Sequence, residues 1–285
     1  MLKILKRHYR RLLMFSAGMS VFSTVLLAHA TAGLPDVAYL AFYVMSLGLF
    51  AALSIVVYRL RPERRSVLEV AGFSGLITAL AILYLPLPGI TPVISGTVLF
   101  LLVLFGLSRF LRSKMSLQMG EGLVWKDRHG AELPYPARLA WMHLIPGATE
   151  LKGHSTGMLS AMEEDEEDPN VIHVTFSGRG QRNASYKLTY LEKDPPVTCR
   201  FLFEGKEADG NKVHGIFAAH INILDHRTCF IAVNEERMGL SLGAYIERWF
   251  DDVMGYQVDR LRATLDKYHG DGQGITKPMP KTSEA

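Results

Sequence analysis

The chain has little cysteine: two residues in 285, Cys199 and Cys229. Neither stands at a metal-type spacing, and two thiols cannot form the disulfide framework of a small secreted domain. Acidic residues are nearly missing from the first 114 positions. Asp36, Glu63 and Glu69 stand there against 12 Lys and Arg, a net charge of +9. Residues 115–285 reverse the balance with 19 basic and 25 acidic residues, a net of −6. That acidic half would be repelled by a phosphate backbone, so nucleic acid is not an expected partner. The sequence also lacks an internal repeat, and no histidine pairs with cysteine or a carboxylate at a metal or nucleophile spacing. No metal, no cofactor and no catalytic residue is therefore read from it. General acid–base chemistry needs groups that converge in space, and spacing alone does not show convergence.

Long apolar runs are abundant. Leu12–Ala30 and Val37–Tyr58 contain no charge, Ser66–Leu85 contains Glu69 alone, and Pro92–Ser108 extends to Leu111 across Arg109. A hydrocarbon core about 30 Å thick needs roughly 20 such residues at 1.5 Å each. Four transmembrane helices are expected at about 12–30, 37–58, 66–85 and 92–111. All 12 basic residues of this half flank one side: Lys3 to Arg11, Arg59 to Arg65, and Arg109 to Lys114. The connections 31–36 and 86–91 have none. The positive-inside rule makes the basic side cytoplasmic, with both termini there, in a multi-pass protein of the cell inner (plasma) membrane. Ala28-His29-Ala30 also fits a signal-peptidase site, whose use would remove the first span. Glu69 lies close enough to the basic flank to reach the interface or pair with an arginine. Gly18, Gly72, Gly75, Ser16, Ser46 and Gly48 are small enough to let helices approach closely, alone or with partner helices.

After Lys114 the period changes from helix to strand. Apolar residues alternate at 172–176, 186–190, 197–203, 217–223 and 229–233, separated by turn clusters such as Asp194-Pro195-Pro196 and Asp225-His226-Arg227. Period two with one apolar face predicts a half-buried antiparallel sheet. Residues 122–126 and 156–162 read as further strands, and Pro136–Ile145 as a short helix. His173, His214 and His220 fall on the outer strand face. Ile246, Phe250, Val253, Met254, Leu261 and Leu265 recur at helical steps and predict one long helix over Leu242–Tyr268, ended by Gly270. Residues 271–285 read as a disordered tail. The acidic run Glu163–Asp168 reads as a solvated loop at a hairpin turn.

That order resembles the helix-grip fold of the START-like superfamily, also called the polyketide cyclase/dehydrase and lipid transport group (SRPBCC). The order is a strand, the Pro136–Pro146 helix, a hairpin ladder, and a closing helix with Trp249 and Phe250. The resemblance covers about Gly120–Gly270. The fold class implied is α+β: a four-helix transmembrane bundle over residues 1–114, then a cytoplasmic helix-grip domain over 115–270. It implies a curved sheet wrapped around the last helix, with an apolar cavity between them. The lining would be Phe176, Tyr186, Leu188, Tyr190, Phe201, Phe203, Phe217, Tyr245, Trp249 and Phe250. These residues equally describe a dry core, although inward tyrosines need partners for their hydroxyls. Three functions stay open: a tethered binding module for a lipid, isoprenoid or quinone; a subunit of a membrane complex, with a membrane-protein partner or a second copy; and a cyclase- or dehydratase-type enzyme. Membrane lipids are partners in each.

Overall fold

The computed structural model describes residues 2–31, 33–60, 65–84, 92–148, 153–177, 183–207 and 211–270. The connection 86–91 and the tail 271–285 lie outside the described residues. The chain divides into two compact units. One comprises Met1–Glu121 and Ser241–Asp251, the other Gly122–Leu240 and the chain from Asp252 onward.

The first unit is helical: α1 (Leu2–Ala30), α2 (Asp36–Leu60), α3 (Arg65–Tyr84), α4 (Pro92–Leu111) and the short α5 (Lys114–Gly120). The helices contain spans of 19 to 25 residues long and apolar enough to cross a membrane: His8–Ala30, Asp36–Leu60, Ser66–Tyr84 and Val93–Leu111. The first starts four residues earlier than the uncharged run, because Arg10 and Arg11 continue the helix. α1 and α3 touch backbone to backbone. A Cβ on Gly18 would lie 2.1 Å from the carbonyl oxygen of Gly72, and one on Gly75 would lie 2.7 Å from that of Gly18. Glycine alone permits this approach, which realises the small-residue packing expected of these positions.

The second unit is built on a seven-stranded antiparallel sheet. Its strands are β1 (Trp125–Leu133), β2 (Leu159–Glu164), β3 (Val171–Ser177), β4 (Asn183–Asp194), β5 (Thr198–Lys206), β6 (Lys212–Ile223) and β7 (Cys229–Met238). Their spatial order is β1-β7-β6-β5-β4-β3-β2, so each strand from β2 to β7 pairs with the next and β1 closes onto β7. The helix α6 (Ala137–Leu144) joins β1 to β2. This is the α+β order that the helix-grip resemblance implies.

The predicted closing helix is two helices. α7 (Leu242–Phe250) belongs to the helical unit, and α8 (Val253–His269) to the sheet unit. The break has a local cause. Asp251 is extended, and the Asp252 carboxylate caps α8 by accepting from the Gly255 N–H at 3.0 Å. On β1, Asp127 accepts from the Met254 N–H at 2.9 Å. Two carboxylates thus satisfy the free donors of a new helix start. Met254, Val258, Leu261 and Leu265 then recur at steps of four, three and four, all buried against the sheet and α6. Each such side chain is worth about 1.5–3 kcal/mol when removed from water.

Candidate functional site

The inner face of the sheet is set by period two. From β3 to β7 it carries Val174 and Phe176, then Tyr186, Leu188 and Tyr190, then Phe201 and Phe203, then Phe217, then Ile231 and Val233. Registry aligns them: Leu188 faces Phe203, Tyr190 faces Phe201, and Phe201 faces Phe217. Seven of the ten residues expected to line a cavity therefore share one face. Two aromatic series cross it. In the buried one, Tyr190 meets Phe201 edge-on at 5.5 Å, and Phe201 stacks on Phe217 at 4.9 Å. The Tyr190 hydroxyl donates to the Pro146 carbonyl oxygen at 2.6 Å, which answers its need for a partner inside the core.

The second series is half open. Phe176 and Tyr186 are partly exposed and meet at 5.9 Å, and Tyr186 meets the buried Phe203 at 6.0 Å. Above them stands Arg237 of β7, its guanidinium 4.8 Å from the Phe203 ring centre and 5.9 Å from that of Tyr186. Glu235 accepts from Arg237 Nε at 2.6 Å, and Glu207 accepts from Nη1 at 2.5 Å. Burial by itself would lower the Arg237 pKa, but the two carboxylates hold it above its ordinary value. Two carboxylates thus answer the one guanidinium beside the rings. An apolar body laid against the rings would match this series.

Sequence reasoning missed Arg237, Glu235 and Glu207. The signal for the first two was present. The alternation Cys229, Ile231, Val233 continues by two to Glu235 and Arg237, but their charge ended the apolar run. Glu207 follows β5, and only the fold brings it to Arg237.

Tyr245, Trp249 and Phe250 are placed elsewhere, because α7 lies in the helical unit. Phe250 is buried with its ring edge-on to Phe73 of α3 at 6.1 Å. Trp249 is 52% exposed, with the Arg10 guanidinium 5.3 Å from its ring centre. Tyr245 is partly exposed on the same helix. Gly243 donates its N–H to Ser116 Oγ at 3.2 Å, which ties α7 to α5. A charge cluster completes the seat. Arg11 is fully buried, pairs with Glu69 of α3 and with Asp251 at 3.2 Å, and donates to the Glu247 carbonyl oxygen at 3.4 Å. His8 pairs with Asp251 at 3.5 Å and is hydrogen-bonded to the Tyr58 hydroxyl. The arginine that Glu69 meets thus comes from α1.

The reactive side chains of the sheet unit are quiet. Burial pushes the Cys199 thiol up to about 12 and the Cys229 thiol to about 11. Both stay protonated near neutrality and are poor nucleophiles. His154, whose ring centre lies 6.3 Å from that of Phe176, is lowered to about 4 by burial, against the pull of the Leu144 carbonyl. Its two ring nitrogens are engaged by Thr156 Oγ1 at 2.9 Å and the Leu144 oxygen at 3.1 Å. Among the described residues, no group of three or more metal-ligating side chains is assembled.

No family model matches the sequence, and no curated protein matches it. Solved structures do. A conserved protein from Geobacillus kaustophilus is 13% identical with a TM-score of 0.39, over 52% of this chain and 97% of that one. Norcoclaurine synthase from Thalictrum flavum, solved with dopamine and hydroxybenzaldehyde, is 15% identical with a TM-score of 0.36, over 55% and 94%. An aromatase/cyclase from Streptomyces sp. R1128 is 15% identical with a TM-score of 0.33, over 50% and 88%. The α+β architecture rests on the strand order and register of this chain.

Proposed function

We propose that the protein is a membrane-tethered binding module for a hydrophobic ligand: a lipid, isoprenoid or quinone taken up on the inner sheet face of the second unit. The observation that carries this reading is the half-open aromatic series Phe176–Tyr186–Phe203 under Arg237, in a chain that also has four bilayer-length apolar helices. Apolar ligands partition into bilayers, so tethering raises their concentration at the site. In this reading the basic flanks face the cytoplasm and the chain sits in the inner membrane.

The test is native mass spectrometry of the full chain released from detergent, followed by lipid extraction. The expected result is a bound species of defined mass that is lost on Phe176→Asp with Tyr186→Asp. Bare protein that also fails to take up added ubiquinone or phospholipid would overturn the reading.

A second reading, a subunit of a membrane complex or a homo-oligomer, is favoured by Gly48 of α2 and Gly106 of α4. A Cβ on either would meet nothing within 4 Å. These small positions on outer helix faces suit a partner helix. Co-purification in mild detergent at fixed stoichiometry, abolished by Gly48→Leu, would establish it.

A further inference from the structure

The outer face of the sheet holds a hollow of about 490 Å³, on the side opposite the aromatic series. Its shape follows from register. Arg128 of β1 faces Asn234 of β7, Asn234 faces Ala218 of β6, and Ala218 faces Arg200 of β5. One row thus runs across four strands with an arginine at each end. Three strand spacings separate the two arginine stems, about 14 Å. Between them the face carries its smallest side chains, Ala218, Ala232 and Gly130, while long ones stand around. Phe230 forms one wall. It lies against Gly130 so closely that a Cβ there would come within 2.8 Å of the ring. On the opposite side, His220 is held by Thr198 Oγ1 at Nδ1, 3.1 Å away.

The charges make this hollow more than a dip in a sheet. Arg128 and Arg200 are both exposed, and neither side chain is in an ion pair or hydrogen bond with a described residue. Glu192 is the register partner of Arg200 but does not pair with it. Two unanswered guanidiniums flank one apolar floor in the acidic half of the chain. A guanidinium fork matches phosphate and carboxylate oxygens, and ligand sites are largely apolar with a few such groups placed around them.

We infer that this outer hollow binds a small organic anion, a phosphate or carboxylate borne on a flat apolar body. Arg128 and Arg200 take the anionic group. The body lies on Ala218 and Ala232 with its edge against Phe230. Such a ligand is unlike the one suited to the inner face, where two carboxylates already answer Arg237.

The probe is 1-naphthyl phosphate, titrated calorimetrically into the detergent-solubilised full chain at low salt. 1-Naphthoate, 2-naphthol and inorganic phosphate serve as controls. The expected result is saturable sub-millimolar binding of one or both naphthyl anions, at least tenfold weaker for naphthol and for phosphate alone. Arg128→Gln and Arg200→Gln each weaken it about tenfold, and Ala232→Leu, which fills the floor, abolishes it. Both arginines are solvent-facing, so their variants keep the thermal transition of the parent chain, and Phe176→Asp leaves the binding unchanged. Absence of saturable binding, or binding that survives both arginine substitutions, would overturn the proposal without touching the inner-face reading.

Discussion

The two units of this molecule are built on opposite solvation rules. In the helical unit the polar side chains go inside: Arg11, Ser20, Ser54, Ser74 and Thr78 are fully buried and Glu69 nearly so. Its large apolar side chains point out, with Val37 at 75% and Phe105 at 71% exposure. The sheet unit does the reverse, burying Ile221, Ile231, Leu261 and Leu265 completely and, among the described residues, turning its lysines and most of its glutamates outward. The difference teaches what holds each together. The sheet unit is driven by removal of apolar area from water. The helical unit, whose four helices are long and apolar enough to cross a membrane, is held by close contact, internal hydrogen bonds and ion pairs among its helices. The Gly18–Gly72 approach, the Ser16 and Ser20 hydroxyls returned to carbonyls of their own helix at 2.6 and 2.7 Å, and the Arg11 cluster are those three devices.

The contrast can be broken most severely at Arg11. Arg11→Met removes the buried cation that Glu69 meets, and removing one member of a buried pair costs about 3–5 kcal/mol. Unfolding of the full chain in detergent should show the loss in the helical unit. The double substitution Arg11→Met, Glu69→Met should recover much of it, since an apolar pair leaves fewer charges to answer. A double variant no better than the single would mean that the pair is not what Arg11 supplies.

An intermediate effect tests the sheet unit by pH. His154 ordinarily titrates near 6.5 and is held near 4 in the fold. Its folded pKa is the lower one, so the unfolded chain takes up the proton first. Stability from this group is complete above pH 6.5 and falls as pH drops towards 4, with about 2 kcal/mol lost at pH 5. His154→Gln should flatten the pH dependence of the sheet unit's unfolding in this window, measured against the parent chain so that other groups cancel. An unchanged slope would show that His154 does not enter it. The smallest effect belongs to Tyr190→Phe, which removes the hydrogen bond to Pro146 and should cost about 1 kcal/mol. Ligand binding at the open series should be unaffected, and a loss there would extend the site into the buried one.

Much of this architecture was legible because it is periodic. Four of the five alternating runs fall within β3, β4, β6 and β7 and the fifth starts one residue before β5, while the Pro136–Ile145 helix lies within a residue or two of α6 and the four apolar runs on α1 to α4. Residues 122–126 and 156–162 overlapped β1 and β2 only partly, since Lys126, Asp127, Arg128 and Glu132 interrupt the apolar alternation of β1. The break at Asp251–Asp252 was not legible. Ile246, Phe250, Val253 and Met254 keep helical spacing across it, and period reports that a face is buried without reporting in which unit. The pair Asp251-Asp252 was the available cue, one residue meeting Arg11 and the other capping α8. Tyr245, Trp249 and Phe250 fall in the helical unit for that reason, while the seven sheet residues of the expected lining share the face that period two sets. The outer hollow was invisible because three small residues on three strands become neighbours only through register.

The seat of α7 has a consequence for the order in which the protein is made. Its bed of α1, α3 and α5 leaves the ribosome early, but 130 residues separate Leu111 from Leu242. Asp251 follows Glu69 by 182 residues, so at roughly 5–20 residues per second Arg11 and Glu69 wait on the order of 9–36 s for it to arrive. Every strand of the sheet is synthesised in that interval. The helical unit is thus begun first and finished almost last, and any stall or truncation between β1 and β7 leaves a bundle whose buried arginine has one carboxylate instead of two.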